Sequence, residues 1–154
     1  MARPRLKVVA HLSNGELVKG YFDPSVERDL ESMVRQRMLS LPVEIPIRPS
    51  DAKEVVAIRR DTLKALFFVK SFEGRKEYKE VKFFQTHPPV EGLWVQVTFK
   101  DREVTEGVLH NTLHHLVEPG FFLKPPDPQS NNEFIYVLKT SLDDFRVLGV
   151  RSSY

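Results

Sequence analysis

What most constrains this chain is that its second half repeats its first. Leu6 to Phe22 reads LKVVAHLSNGELVKGYF, and Leu93 to Leu109 reads LWVQVTFKDREVTEGVL. Aligned without gaps, Leu6 meets Leu93, Val8 meets Val95, Glu16 meets Glu103 and Gly20 meets Gly107. In the second copy Leu93, Val95, Val97 and Phe99 alternate with Trp94, Gln96, Thr98 and Lys100, which is the period of a half-buried strand. In the first copy Asn14-Gly15 reads as a two-residue hairpin turn, because both residue types tolerate positive φ. Asp101-Arg102 holds the same place in the second. Further along, Ile45 to Asp51 (IPIRPSD) matches Phe121 to Asp127 (FFLKPPD), and Val55 to Val69 matches Phe134 to Leu148. Blocks that recur in one order point to internal duplication.

Each copy predicts five strands, with a short polar turn (Asp61-Thr62, Thr140-Ser141) before the last. The expected organisation is a first unit over residues 1–70, an aromatic linker over 71–92 packed on both units, and a second unit over 93–154. The copies differ between their second and third strands. Asp23 as N-cap, Pro24 at the first helical position and a stop at Pro42 predict a helix over about 23–41. The matching stretch, His110 to Gly120, is shorter. In the linker, Tyr78 to Phe84 is a candidate extra strand. The expected fold class is therefore all-β with one inserted helix, as a tandem pair of small five-stranded barrels.

Five short strands, a bent second strand and a turn before the last resemble the Sm-like class of small barrels. Gly20 and Gly107 suit the sharp bend such a barrel needs. The segments LKALFFVKSFEG (Leu63 to Gly74), VTFKDREVTEG (Val97 to Gly107) and GFFLKPPDPQSNNEFIYV (Gly120 to Val137) resemble a family of uncharacterised bacterial two-repeat proteins. That resemblance covers most of the chain and implies no particular activity; the helix over 23–41 departs from the family's shorter connection. PilZ barrels grip cyclic di-GMP with Arg-x-x-x-Arg and Asp/Asn-x-Ser-x-x-Gly, and neither pattern occurs here.

Composition excludes several chemistries. The 154 residues carry 23 Lys and Arg against 21 Asp and Glu, without the basic stripe of a phosphate-binding surface. The absence of cysteine removes disulfides, thiolate metal sites and thiol catalysis. No apolar run has the length of a membrane span, and none follows MARPRLK as in an export signal, so a cytoplasmic setting is expected.

His110, His114 and His115 are the only cluster with metal-like spacing, an i, i+4 pair that would need Glu118 or His87 to complete it. Polar loop histidines are the simpler account, given the usual four-ligand requirement. No nucleophile elbow, ordered triad or glycine-rich phosphate loop is present, so neither a catalytic residue nor a cofactor is expected. Asp143-Asp144 reads as a solvated pair beside the last strand. The aromatic and basic mixture from Phe67 to Phe84 suits single-stranded nucleic acid, but Glu73, Glu77 and Glu80 interrupt it and core packing is simpler. The loop Lys124 to Glu133 reads as an exposed hairpin tip whose Lys124, Asp127, Asn131 and Asn132 are candidate partner contacts. With two-residue turns, Lys19 and Glu106 take equivalent inward positions, which predicts an ion pair across a pseudo-twofold axis. The expected function is a non-enzymatic binding or adaptor module for a protein or a small regulatory ligand, with self-association open to it. An Sm-like RNA-binding protein is the alternative, and a metal-dependent hydrolase using the histidines comes third.

Overall fold

The computed structural model describes residues 6–23, 41–73, 83, 91–127 and 129–151. The helix expected over about 23–41 and the candidate strand from Tyr78 to Phe84 fall almost wholly outside these. Among the described residues there are ten strands: β1 (Lys7–Leu12), β2 (Leu17–Phe22), β3 (Glu44–Pro49), β4 (Val56–Arg59), β5 (Leu63–Val69), β6 (Gly92–Phe99), β7 (Val104–Leu109), β8 (Gly120–Leu123), β9 (Asn132–Leu138) and β10 (Leu142–Arg151). Three-residue 3-10 turns, Arg60–Thr62 and Lys139–Ser141, precede β5 and β10. The chain is mostly β. Among the described residues no helix is long and apolar enough to cross a membrane.

The strands do not close into two separate barrels. They form a seven-stranded sheet in the order β4-β3-β2-β1-β5-β9-β8 and a three-stranded sheet in the order β10-β6-β7. The reason is a joint between the halves: β5 pairs antiparallel with β9, from Ala65 opposite Val137 to Val69 opposite Asn132. Strands from both halves thus continue one sheet. Among the described residues one isolated backbone bridge connects the two sheets, where Val108 and Lys124 exchange N–H···O bonds of 3.0 and 2.9 Å.

Side-chain alternation then builds two cores. Phe134, Tyr136 and Leu138 of β9 join Leu66 and Phe68 of β5, Val8, Ala10, Phe22, Ile45 and Ile47 in one. The intervening Ile135 and Val137 point the other way, into a second core with Ala65, Val95, Val97, Phe99 and Leu123. Both faces of β5, β8 and β9 are therefore apolar, and this septum carries the contact between the two halves.

The hairpins differ from the expected two-residue turns. In β1–β2 the Leu12 carbonyl accepts from Gly15 N–H at 3.0 Å while Leu12 N–H donates to the Glu16 carbonyl at 2.9 Å. In β6–β7 the Phe99 carbonyl accepts from Arg102 N–H and Phe99 N–H donates to Glu103, both at 2.8 Å. Each loop has three residues, and only the last is left-handed: Gly15 at φ +92° and Arg102 at φ +75°. This is a type I turn closed by a bulge. The extra residue moves the register by one position, so Val9 lies opposite Lys19 and Gln96 opposite Glu106.

Candidate functional site

Each hairpin tip is tied to the 3-10 turn of its own half. Ser13 N–H donates to the Thr62 carbonyl at 2.8 Å, and Lys100 N–H to the Ser141 carbonyl at 2.9 Å. Thr62 Oγ1 donates back to Arg59 O at 2.7 Å, as Ser141 Oγ does to Leu138 O at 2.6 Å. Ser141 Oγ also lies 2.8 Å from the Lys64 carbonyl, which links the two halves. The two tip-and-turn assemblies face each other across a cleft of about 670 Å³, lined among others by His11, Ser13, Lys64, Phe99, Lys100 and Asp101. A second cavity of about 300 Å³ shares His11 and Phe99 and runs on to Lys19, Phe67, Phe72 and Asn131.

Lys64 organises the cleft. Its Nζ lies 2.6 Å from Asp101 Oδ2 and 3.5 Å from Glu103 Oε2, and 4.6 Å above the centre of the Phe99 ring. The Lys64 ammonium, with help from the Glu103 N–H, holds the Asp101 carboxyl below its ordinary range. His11 stacks at a tilt on Phe67, with ring centres 4.3 Å apart. Its burial, and secondarily the Lys64 charge, lower its pKa from the ordinary 6.5. Ser13 Oγ donates to the Thr62 carbonyl at 3.1 Å, so both serine hydroxyls in the cleft are engaged with backbone carbonyls. The arrangement offers a half-apolar cleft with balanced charges, suited to holding a polar molecule.

The residues singled out from sequence lie elsewhere or play other parts. The Lys124–Glu133 loop is folded in rather than projecting: Asp127 is 7% and Ser130 1% exposed. Asp127 Oδ1 accepts from Gln129 N–H at 2.9 Å and Ser130 Oγ from Asn132 N–H at 3.0 Å, which supplies partners for the loop backbone. Asn131 clamps Ser71, accepting from its N–H at 3.0 Å and donating to its carbonyl at 2.8 Å. Lys124 stays exposed beside the β7–β8 bridge, and Asn131 with Asn132 edges the smaller cavity.

His110 and His115 meet through the His115 ring and the His110 carbonyl, and His114 falls in the 3-10 turn Leu113–Leu116. His87 lies outside the described residues. Among the described residues no three His, Asp or Glu form a group able to hold a metal ion. Asp144 pairs with Arg146 of its own strand at 2.6 Å. Phe68 and Val69 are core, while Phe72 packs edge-on against Tyr21 with centres 5.4 Å apart.

The Lys19–Glu106 pair expected across a twofold axis is replaced by separate contacts. Lys19 donates to the Phe72 carbonyl at 3.2 Å, and buried Glu106 accepts from the Trp94 indole N–H at 2.8 Å. The halves are joined by β5 with β9, and neither Lys19 in β2 nor Glu106 in β7 takes part in that pairing. His11, Lys64 and Phe99 were missed from sequence. The available signal was the pair of aligned turns, Asn14 with Asp101 and Thr62 with Ser141, which the fold brings to one place.

These features define a mostly β protein of two hydrogen-bonded sheets with a polar cleft where its halves meet. The chain belongs to a family of unknown function, DUF6982, whose family model matches residues 4–149. No curated protein and no solved structure matches it.

Proposed function

We propose that the chain is a non-catalytic binding module that holds a small polar ligand in the cleft between its halves, in a cytoplasmic setting. The observation that carries this reading is the convergence of both tip-and-turn assemblies on one cleft of about 670 Å³. Such a cavity, where many polar groups converge beside Leu12, Leu63 and Phe99, has the size of a small-molecule site. Three of the groups that could do chemistry are engaged by the protein itself: Lys64 by two carboxylates, and Ser13 and Ser141 by backbone carbonyls. Binding is what such a set does best.

The test is two-dimensional amide NMR of the full chain against a panel of small polar metabolites. Shifts centred on His11, Ser13, Lys100 and Ser141, weakened by Lys100→Ala, support the proposal. An unresponsive panel, or shifts confined to another face, would overturn it.

The architecture itself reads as an internal duplication of an Sm-like five-stranded unit. Support comes from the matching hairpin loops, the matching 3-10 turns and the matching glycines. A Cβ on Gly20 would meet the Arg48 carbonyl oxygen at 2.4 Å, and one on Gly107 the equivalent Lys124 oxygen at 2.8 Å. An RNA-binding reading draws on a different observation, an aromatic and basic face on β1–β3. The Arg48 guanidinium lies 4.8 Å from the Tyr21 ring centre, and Lys7 lies 5.9 Å from that of Phe72. Stacking surfaces beside cations suit unpaired bases. Affinity for single-stranded RNA that falls steeply with salt and is lost in Tyr21→Ala would favour this reading over the cleft.

A further inference from the structure

The cleft and the smaller cavity beside it differ in character and meet at His11 and Phe99, which line both. The smaller one lies at the margin of the second core, against which Phe67 packs partly buried. Val9 of β1, Phe67 and Val69 of β5, and Ile135 and Val137 of β9 all line it. The strand register sets them on one face, with Val9 opposite Phe67 and Phe67 opposite Ile135. Its volume of about 300 Å³ admits a large apolar group. Lys19, which also lines it, donates to the Phe72 carbonyl at 3.2 Å.

Charge is unevenly matched where the two spaces meet. Asp101, lining the cleft, and Glu103, lining the smaller cavity, share the ammonium of Lys64 at 2.6 and 3.5 Å. That trio carries a net negative charge. Lys100, next to Asp101 in the β6–β7 loop, also lines the cleft and ion-pairs with no carboxylate among the described residues. Asp61, on the opposite turn, is already matched by Arg59 at 3.2 Å. Burial, and secondarily the Lys64 charge, keep His11 neutral, so it adds no charge at the junction. A surplus negative charge and a surplus positive charge thus lie on neighbouring residues beside an apolar cavity.

We propose, on the reading of the cleft as a ligand site, that the ligand is a free α-amino acid with a large apolar side chain. Its ammonium joins Lys64 on Asp101 and Glu103, its carboxylate meets Lys100, and its side chain enters the smaller cavity against Phe67 and Ile135. Both charged contacts are charge-assisted hydrogen bonds, the strong kind. An α-amino acid carries its two charges on neighbouring groups, as the loop carries Lys100 and Asp101. A simple anion would be repelled by the Lys64 trio and a simple cation by Lys100, whereas a zwitterion suits both.

The test titrates L-phenylalanine into the full chain and follows its amide signals by NMR. Those of His11, Lys100 and Asp101 should move together with those of Val9 and Ile135. Three analogues each lack one feature: glycine the side chain, 3-phenylpropanoate the ammonium, and 2-phenylethylamine the carboxylate. Each should bind about tenfold more weakly or worse. Glu103→Gln removes the surplus negative charge and keeps the backbone bond to Phe99. It should weaken L-phenylalanine about tenfold and 3-phenylpropanoate not at all. Lys100→Met, at an exposed loop position, should weaken L-phenylalanine but not 2-phenylethylamine, and decides the matter if Glu103→Gln does not fold. Equal affinity for L-phenylalanine and any one analogue overturns the proposal, as does silence toward all four. If other polar metabolites still move the cleft signals, only the amino-acid assignment falls; if none does, the cleft reading falls with it.

Discussion

A Cβ on Gly20 would sit 2.4 Å from the Arg48 carbonyl oxygen and 2.9 Å from Ile47 Cγ2, inside a strand pairing that has no slack. Gly20→Ala should therefore lower stability by about 1–3 kcal/mol, the usual cost of overpacking, measured by urea unfolding. Unchanged stability would mean that β2 and β3 separate without cost. His11 makes a second prediction at this scale. Burial against Phe67 holds its pKa below 6.5, so the unfolded chain takes the proton first. The stability that the neutral ring supports is complete above pH 6.5 and declines as pH falls from there toward the lower folded value. His11→Leu should lose less stability than wild type between about pH 7.5 and about pH 5.5, comparing urea midpoints. Equal losses would show that His11 titrates as it does in the unfolded chain.

The two hairpins are one element built with different residues at its most demanding position. Gly15 adopts φ +92° freely, whereas Arg102 adopts φ +75° against its own Cβ, which costs about 1 kcal/mol for an L-residue. Arg102→Gly should raise stability by about 0.5 kcal/mol, because glycine's greater freedom in the unfolded chain offsets part of the gain. Thermal unfolding checks it, and a lower midpoint would refute the strain. The strands themselves were legible in the sequence, through the alternation of Leu93 to Phe99 and the recurring order of blocks. The loop length was not, since Asn-Gly serves a two-residue turn as readily as the end of a three-residue one. That one residue turns Lys19 and Glu106 to the other face of their strands, where Lys19 is exposed and Glu106 is buried against Trp94. The runs ALFFV in β5 and FIYVL in β9 are apolar at consecutive positions, as befits strands covered on both faces. What they could not announce is that each covers the other. That choice depends on which edges meet in space, and it also decides where the cleft around Lys64 opens.

At the scale of the whole molecule, the joint makes the first half's core dependent on the second half. Phe68 of β5 stacks on Phe134 of β9 with ring centres 4.4 Å apart and meets Phe122 of β8 at 6.2 Å, as well as Phe22 of its own half at 6.2 Å. A first half freed of its partner would expose the apolar face of β5, so the chain should unfold as one cooperative unit. Trp94, the only tryptophan, lies in β6 of the other half, hydrogen-bonded to Glu106, and so reports on the half that Phe68 does not belong to. Phe68→Ala should cost about 3–5 kcal/mol, the range for truncating a buried phenylalanine. Trp94 fluorescence and far-UV circular dichroism should then show the same lowered midpoint in urea. If the halves were independent domains, the Trp94 transition would stay at its wild-type midpoint while only part of the dichroism moved. Coincident movement is the outcome required by a sheet that passes from one half into the other through β5 and β9.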